Sequence, residues 1–228
     1  MIKKIMKYSF VSILLAAVIG LSIAFWSHSK YIVLSDSTLM PAQVWEYENI
    51  GDVHLVTVAD GHEIFLQNQN LLIQSSLNRG FHKFHKYSKK DIDSRFYQAN
   101  KALLDVKSGA GLWIWKPYMI LKTMREAKEN DVIVYLDVGF TVIRPIRELL
   151  KPFESGHLDM LFVGDMNAEG TNYIVNNASR HILDAFGIDH ETAKTKRNTV
   201  GGIMVIRNTT HTRQFIAQWL KSCLREDF

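Results

Sequence analysis

The chain has 228 residues and a formal net charge of +4, from 27 Lys plus Arg against 23 Asp plus Glu. Residues 1–30 hold Lys3, Lys4, Lys7 and Lys30 and no acid, so the remainder balances 23 bases against 23 acids, and no bulk electrostatic case remains for a nucleic-acid partner, which needs a basic stripe on the folded domain. Hydrophobic content of 47% with only 4 Pro argues against a disordered chain, and the single cysteine, Cys223, excludes an intrachain disulfide and a multi-cysteine zinc site.

Lys3, Lys4 and Lys7 precede an uncharged run from Tyr8 to Ser27, close to the roughly 20 residues of a spanning helix. Trp26 suits an interfacial aromatic, and the positive flank predicts a cytoplasmic N-terminus with the body across the membrane, a type II-like signal-anchor within residues 1–30. The rival reading is a signal peptide cleaved after Ser22-Ile23-Ala24, leaving a secreted protein. A Golgi or ER lumen and a bacterial inner membrane fit this topology alike. Residues 31–50 read as a stem, with an extended piece at Tyr31–Leu34, and residues 51–228 as the folded domain.

Within the body, His54–Ala59 is an apolar β-branched run and reads as a strand ending at Asp60-Gly61. Asn68–Leu77 reads as helix, Lys83–Tyr87 as a short strand, Arg95–Val106 as helix and Ser108–Gly111 as loop. Pro117 predicts the first position of an amphipathic helix running to Lys128. Val132–Leu136 is fully apolar, as at the centre of a covered sheet. Ile146–Leu150 begins a helix, Met160–Val163 is a buried strand, Ala178–Phe186 a helix stopped by Gly187, Thr199–Ile206 a strand and Thr210–Leu224 a final helix. Strands alternating with helices predict an α/β domain with a mostly parallel central sheet flanked by helices.

A buried strand delivers Asp137 to its carboxyl end, the edge where open α/β sheets bind ligands. A carboxylate there is suited either to a divalent cation that binds a diphosphate or to capping the turn after the strand. Gly139 lets the backbone turn or approach a ligand. Lys116, at a helix start, offers an ammonium to an anion beside free N–H groups, and Trp113 and Trp115 are suited to stacking on a sugar or base or to filling the core. Asp60 and Asp165 also end predicted strands, as turn residues or as members of one shared rim. Gly201-Gly202 permits close approach of a ligand or marks a bulge. His82-x-x-His85 has metal-pair spacing without an acidic partner at helical spacing, and Asn177-Ala178-Ser179 and Asn208-Thr209-Thr210 fit the glycosylation acceptor pattern. No GxGxxG after a strand, Walker loop, GxSxG or HExxH occurs, which lowers dinucleotide oxidoreductase, P-loop NTPase, serine hydrolase and zinc protease readings.

The segments GLWIWKPYMILKTM, DVIVYLDVG and VGGIMVIRNTTHTRQFIAQWLKSC, in this order, resemble nucleotide-sugar glycosyltransferases of the GT-A type, over roughly residues 52–224. The resemblance implies a GT-A-like (Rossmann-like) domain. It also implies sugar transfer from a nucleotide-diphosphate donor to a glycan, lipid or protein acceptor, usually helped by Mn²⁺ or Mg²⁺. Asp137 would match the first acid of the family's Asp-x-Asp metal motif, and the first strand, Val56–Asp60, would hold base and ribose through Val58 and Asp60. Lys116 would contact the diphosphate, with Trp115, Gly139, Gly201 and Gly202 around the donor, and Asp165 would orient the acceptor or act as base. The sequence departs from the pattern at Gly139, where the second metal-motif acid would stand. It also ends at Phe228, where fuller members continue with a further metal or acceptor residue. The alternatives are a non-catalytic GT-A-like binding module and an unrelated α/β hydrolase or phosphatase on a membrane tether.

Overall fold

Every residue of Val53–Val58 (VHLVTV) is buried, as a β-branched run with no break requires when both faces of its sheet are covered. This strand, β1, is followed by helix α1 (Glu63–Ser76), strand β2 (Lys83–Tyr87), short helices α2 (Ser94–Ala99) and α3 (Lys101–Leu104), and helix α4 (Trp115–Glu126). Strand β3 (Val132–Leu136), helix α5 (Arg147–Glu154), strand β4 (Met160–Gly164) and short helices α6 (Ile174–Asn177), α7 (Arg180–Ala185) and α8 (His190–Thr195) come next, then strand β5 (Thr199–Arg207) and helix α9 (Thr210–Cys223). The computed structural model describes residues 45–164 and 173–225. The expected membrane segment at 8–27, the extended piece at Tyr31–Leu34 and the candidate Asp165 lie outside the described residues. No helix among those described is long and apolar enough to cross a membrane.

The strands form one five-stranded sheet in the order β2-β1-β3-β5-β4. β1 pairs in parallel with β2 and with β3, whereas β5 runs antiparallel to both β3 and β4. The sheet is therefore mixed rather than mostly parallel in its pairings. The cause is where the chain enters β5: the α6–α8 connection starts at the end of β4 and returns to the same edge, so the next strand must run backwards.

One face of the sheet (Val56, Ile133, Tyr135, Met204, Ile206) packs against Met119, Ile120 and Met124 of α4 and Ile216 of α9. The other face (Leu55, Val132, Val134, Val205) packs against Leu72 of α1 and Leu150 and Phe153 of α5. Helices on both faces give three layers, and an α/β domain results.

Three local expectations are corrected. α4 begins at Trp115, so Pro117 is its third residue and not its first. The helix expected over Arg95–Val106 breaks at Asn100, the C-cap of α2 and N-cap of α3. The helix expected over Ala178–Phe186 is shorter, capped by the Ser179 hydroxyl on the Ile182 N–H, and α8 follows it unanticipated.

Asn208 ties the layers together. It is wholly buried. Its amide Nδ2 donates to the carbonyls of Met124 at 2.9 Å, Ala127 at 3.3 Å and Lys128 at 2.8 Å. Those carbonyls belong to the end of α4 and the turn after it, where helix carbonyls lack internal partners. The acceptor triplet at Asn208 is thus closed to glycosylation, while Asn177 is exposed.

Candidate functional site

The site begins with strand alternation. Ile133, Tyr135 and Asp137 lie on one face of β3, the face covered by α4. At the carboxyl end of β3 the sheet outruns its helix cover, and Asp137 is half-exposed where its strand neighbours are buried. The Asp137 N–H donates to Gly202 O at 2.9 Å, which continues the β3–β5 ladder beyond the Leu136–Ile203 pair. Because β5 is antiparallel, its first residues extend past the end of β3 and bring Gly201 and Gly202 to the same rim.

Lys116 reaches this rim from the first turn of α4. Its Nζ lies 3.0 Å from Asp137 Oδ2 and 3.0 Å from Oδ1, and donates to Gly201 O at 2.9 Å. The residue is only 8% exposed, which keeps an ammonium inside the protein only because a carboxylate and a carbonyl meet it. The same Nζ lies 5.4 Å from the centre of the Tyr135 ring and 5.7 Å from that of Trp115, within cation–π range. The Tyr135 hydroxyl donates to Asp137 Oδ1 at 2.5 Å. Burial first, then the Asp137 charge, holds this phenol well above its ordinary pKa, so it stays a donor.

Glycines leave the pair uncovered. A Cβ at Gly139 would meet nothing within 4 Å, and one at Gly201 would meet only Lys116 Nζ, at 3.8 Å. Gly202 is different: a Cβ there would lie 2.9 Å from the Phe140 ring and 3.0 Å from Asp137 Oδ2. Here the absent side chain is a packing requirement.

The turn leading into α4 is strained. Gly109, Ala110, Gly111, Leu112 and Trp113 all have positive φ, between 51° and 102°, which costs about 1–2 kcal/mol for each residue with a Cβ. The Trp115 indole N–H donates back to Gly109 O at 3.0 Å and pins this turn beside the site. Trp113 is 52% exposed, whereas Trp115 packs partly against the core. The helix start itself offers an anion little. The Lys116 N–H goes to Trp113 O, Pro117 has none, and the Tyr118 N–H goes to Ile114 O.

Lys116, Asp137, Gly201 and Gly202 therefore converge, with Trp115 and Gly139 beside them. Val58 and Asp60 do not join them. Val58 is 4% exposed and its side chain belongs to the core. Asp60 ends β1 on the same edge of the sheet but lines a separate cleft with Lys89, Lys90, Ser94 and Tyr97. Tyr135 and Phe140 were missed, although Tyr135 stands two residues before Asp137, the spacing that puts strand side chains on one face.

A divalent cation, as the resemblance implies, would need free carboxylate oxygens. The donor set at Asp137 does not fit one: both oxygens face the Lys116 ammonium, one also accepts from Tyr135, and Gly139 supplies no second carboxylate.

The described residues that come close enough in threes to share an ion are Asp52, His54 and Asp131, at the opposite edge. Their hydrogen bonds account for them. Asp131 accepts from the backbone N–H groups of Asp52 and Lys128, each at 2.9 Å, and from His54 Nε2 at 3.1 Å. Asp52 pairs with Lys83 at 2.8 Å. His54 Nδ1 and His85 Nε2 share a hydrogen bond at 2.9 Å, and burial lowers the pKa of both imidazoles, that of His85 to about 4. His82 accepts from the Val53 N–H at 2.8 Å and donates to Trp45 O at 2.7 Å. His82 and His85 thus serve different partners and are not a metal pair.

No protein-family model matches the chain, and no curated protein matches it in sequence.

Proposed function

We propose that the chain is a glycosyltransferase that moves a sugar from a nucleotide-diphosphate donor to a glycan, lipid or protein acceptor. The observation that carries this reading is the Lys116–Asp137 pair at the carboxyl end of β3, left open by Gly139 and Gly201. Open α/β sheets bind ligands at this edge, and the resemblance in the WKPY, YLDVG and VGG segments points to the same residues. Apolar residues 8–27 would hold the enzyme at a membrane.

In such a transfer the bond between the anomeric carbon and the diphosphate oxygen breaks, and its electron pair stays on the diphosphate. The acceptor hydroxyl oxygen forms the new bond to carbon. Its proton passes to a base, for which Asp165 is the sequence candidate. Negative charge grows on the leaving oxygen, so an ammonium fixed beside it stabilises the transition state more than the ground state. Asp137, the Gly201 carbonyl and two aromatic rings fix Lys116, which therefore needs little reorganisation. Trp113, 52% exposed in the turn before α4, would stack on a sugar ring.

The test is a panel of UDP- and GDP-sugars with the full chain, read by thermal shift and by release of nucleotide. At least one donor is expected to raise Tm and to turn over, and Asp137→Asn is expected to abolish turnover. A folded sample stabilised by none of them contradicts the reading. A donor that binds without turnover, unaffected by Asp137→Ala, makes the chain a binding module instead.

A further inference from the structure

We infer that this site meets its nucleotide diphosphate with the Lys116 ammonium and not with a divalent cation. The inference rests on the glycosyltransferase reading and names how that site handles phosphate.

A hard cation such as Mg²⁺ binds carboxylate oxygens at about 2.0–2.1 Å and demands near-octahedral room. At Asp137 that room is taken. Lys116 Nζ lies 3.0 Å from each oxygen, and the Tyr135 hydroxyl holds Oδ1 at 2.5 Å. A cation would have to displace an ammonium that has a third partner in Gly201 O. The position where a second carboxylate would help is Gly139, which is exposed and faces open space. Among the described residues the one trio able to share an ion is at the far edge of the sheet.

The lysine is placed for the substitute role. An ammonium has three N–H groups. One meets Gly201 O, and the other two face a single carboxylate. A phosphate oxygen that enters between Gly139 and Gly201 takes over one of those two. The remaining two keep the ammonium in place, and Tyr135 keeps Asp137 hydrogen-bonded. The Lys116–Asp137 pair is neutral overall, so further positive charge must come from the rim. Lys196, which leads into β5, is exposed on the segment that enters this rim.

Isothermal titration of the full chain with UDP and with GDP, once in EDTA and once in Mn²⁺, tests this. The affinity in EDTA is expected within about threefold of that in Mn²⁺, and Lys116→Met is expected to weaken it by at least about tenfold in both. Lys116→Arg should retain part of the binding. If Lys116→Met leaves Asp137 unpaired and the protein unfolds, Lys116→Met with Asp137→Asn removes both charges and carries the same expectation. Binding that appears with Mn²⁺ and falls more than about tenfold in EDTA overturns the inference and leaves the glycosyltransferase reading standing. A folded wild-type protein that binds neither nucleotide in either condition overturns that reading, and this inference with it.

Discussion

Two glycines beside Asp137 answer differently to the same substitution. Gly139→Ala adds a methyl to open space at an ordinary φ, so chemical denaturation should show a change within about 0.5 kcal/mol. Gly202→Ala pushes a methyl to 2.9 Å from the Phe140 ring and 3.0 Å from Asp137 Oδ2, and overpacking of this kind costs about 1–3 kcal/mol. The same denaturation curve checks it, and donor binding should fall as well, because Asp137 must move. Equal effects of the two substitutions would mean that the rim is not built as described. The buried imidazoles give a second prediction at this scale. Both His54 and His85 have folded pKa values below the 6.5 of the free side chain, His85 at about 4, because burial penalises the charged ring. Between about 4 and 6.5 the unfolded chain therefore binds more protons than the fold, so stability is complete above that window and is lost as pH falls through it. Urea unfolding at a series of pH values should show a loss on the order of 2 kcal/mol by the acid end, and His85→Gln should flatten the slope.

At the scale of elements, the strands were more legible than the helices. The runs VHLVTV and VIVYL carry their state in composition alone, since continuous β-branched and apolar residues fit only a covered sheet. Lys83–Tyr87 was read correctly too, although it is basic, because its aromatic residues suit a pleated surface. Helix limits misled where they depend on neighbours. Pro117 fits the third position of α4 as well as the first, because both lack an intrahelical acceptor, and the turn at Gly109–Trp113 supplies the residues ahead of it. No local pattern marks five successive positive φ values when three of the residues carry a Cβ. That turn is a testable element. Ala110→Gly relieves a φ of 51° and should raise stability by up to about 1 kcal/mol. Gly111→Ala sets a Cβ 2.7 Å from Leu104 O at a φ of 102° and should destabilise; thermal unfolding of the pair should show opposite signs. Asn208, first noticed as a glycosylation triplet, is instead the clamp between α4 and β5. Asn208→Ala strands three carbonyls and should cost about 1–3 kcal/mol in the same measurement.

For the whole molecule, the sheet order decides what can meet. Lys116 and Asp137 are separated by the rest of α4, a turn and strand β3, and Gly201 lies far beyond them in sequence. Their convergence depends on β5 running against β3, which strand-by-strand reading cannot supply. Asp137 and Lys116 were each recognisable from position, one ending a strand and one starting a helix. That they pair with each other, and so leave the carboxylate no free oxygen, was not legible, because side-chain reach depends on the packing of α4 over β3. On the proposed reading, the same edge is where a domain without surplus charge would accept a diphosphate. Its cations are local, at Lys116 and at Lys196 on the segment entering the rim, and the total does not register them. The most direct test is a crystal of the protein soaked with UDP. The account predicts a diphosphate between Gly139 and Gly201, with a phosphate oxygen at hydrogen-bonding distance from Lys116 Nζ. A nucleotide bound at any other edge of the sheet, with the Lys116–Asp137 pair untouched, would contradict it.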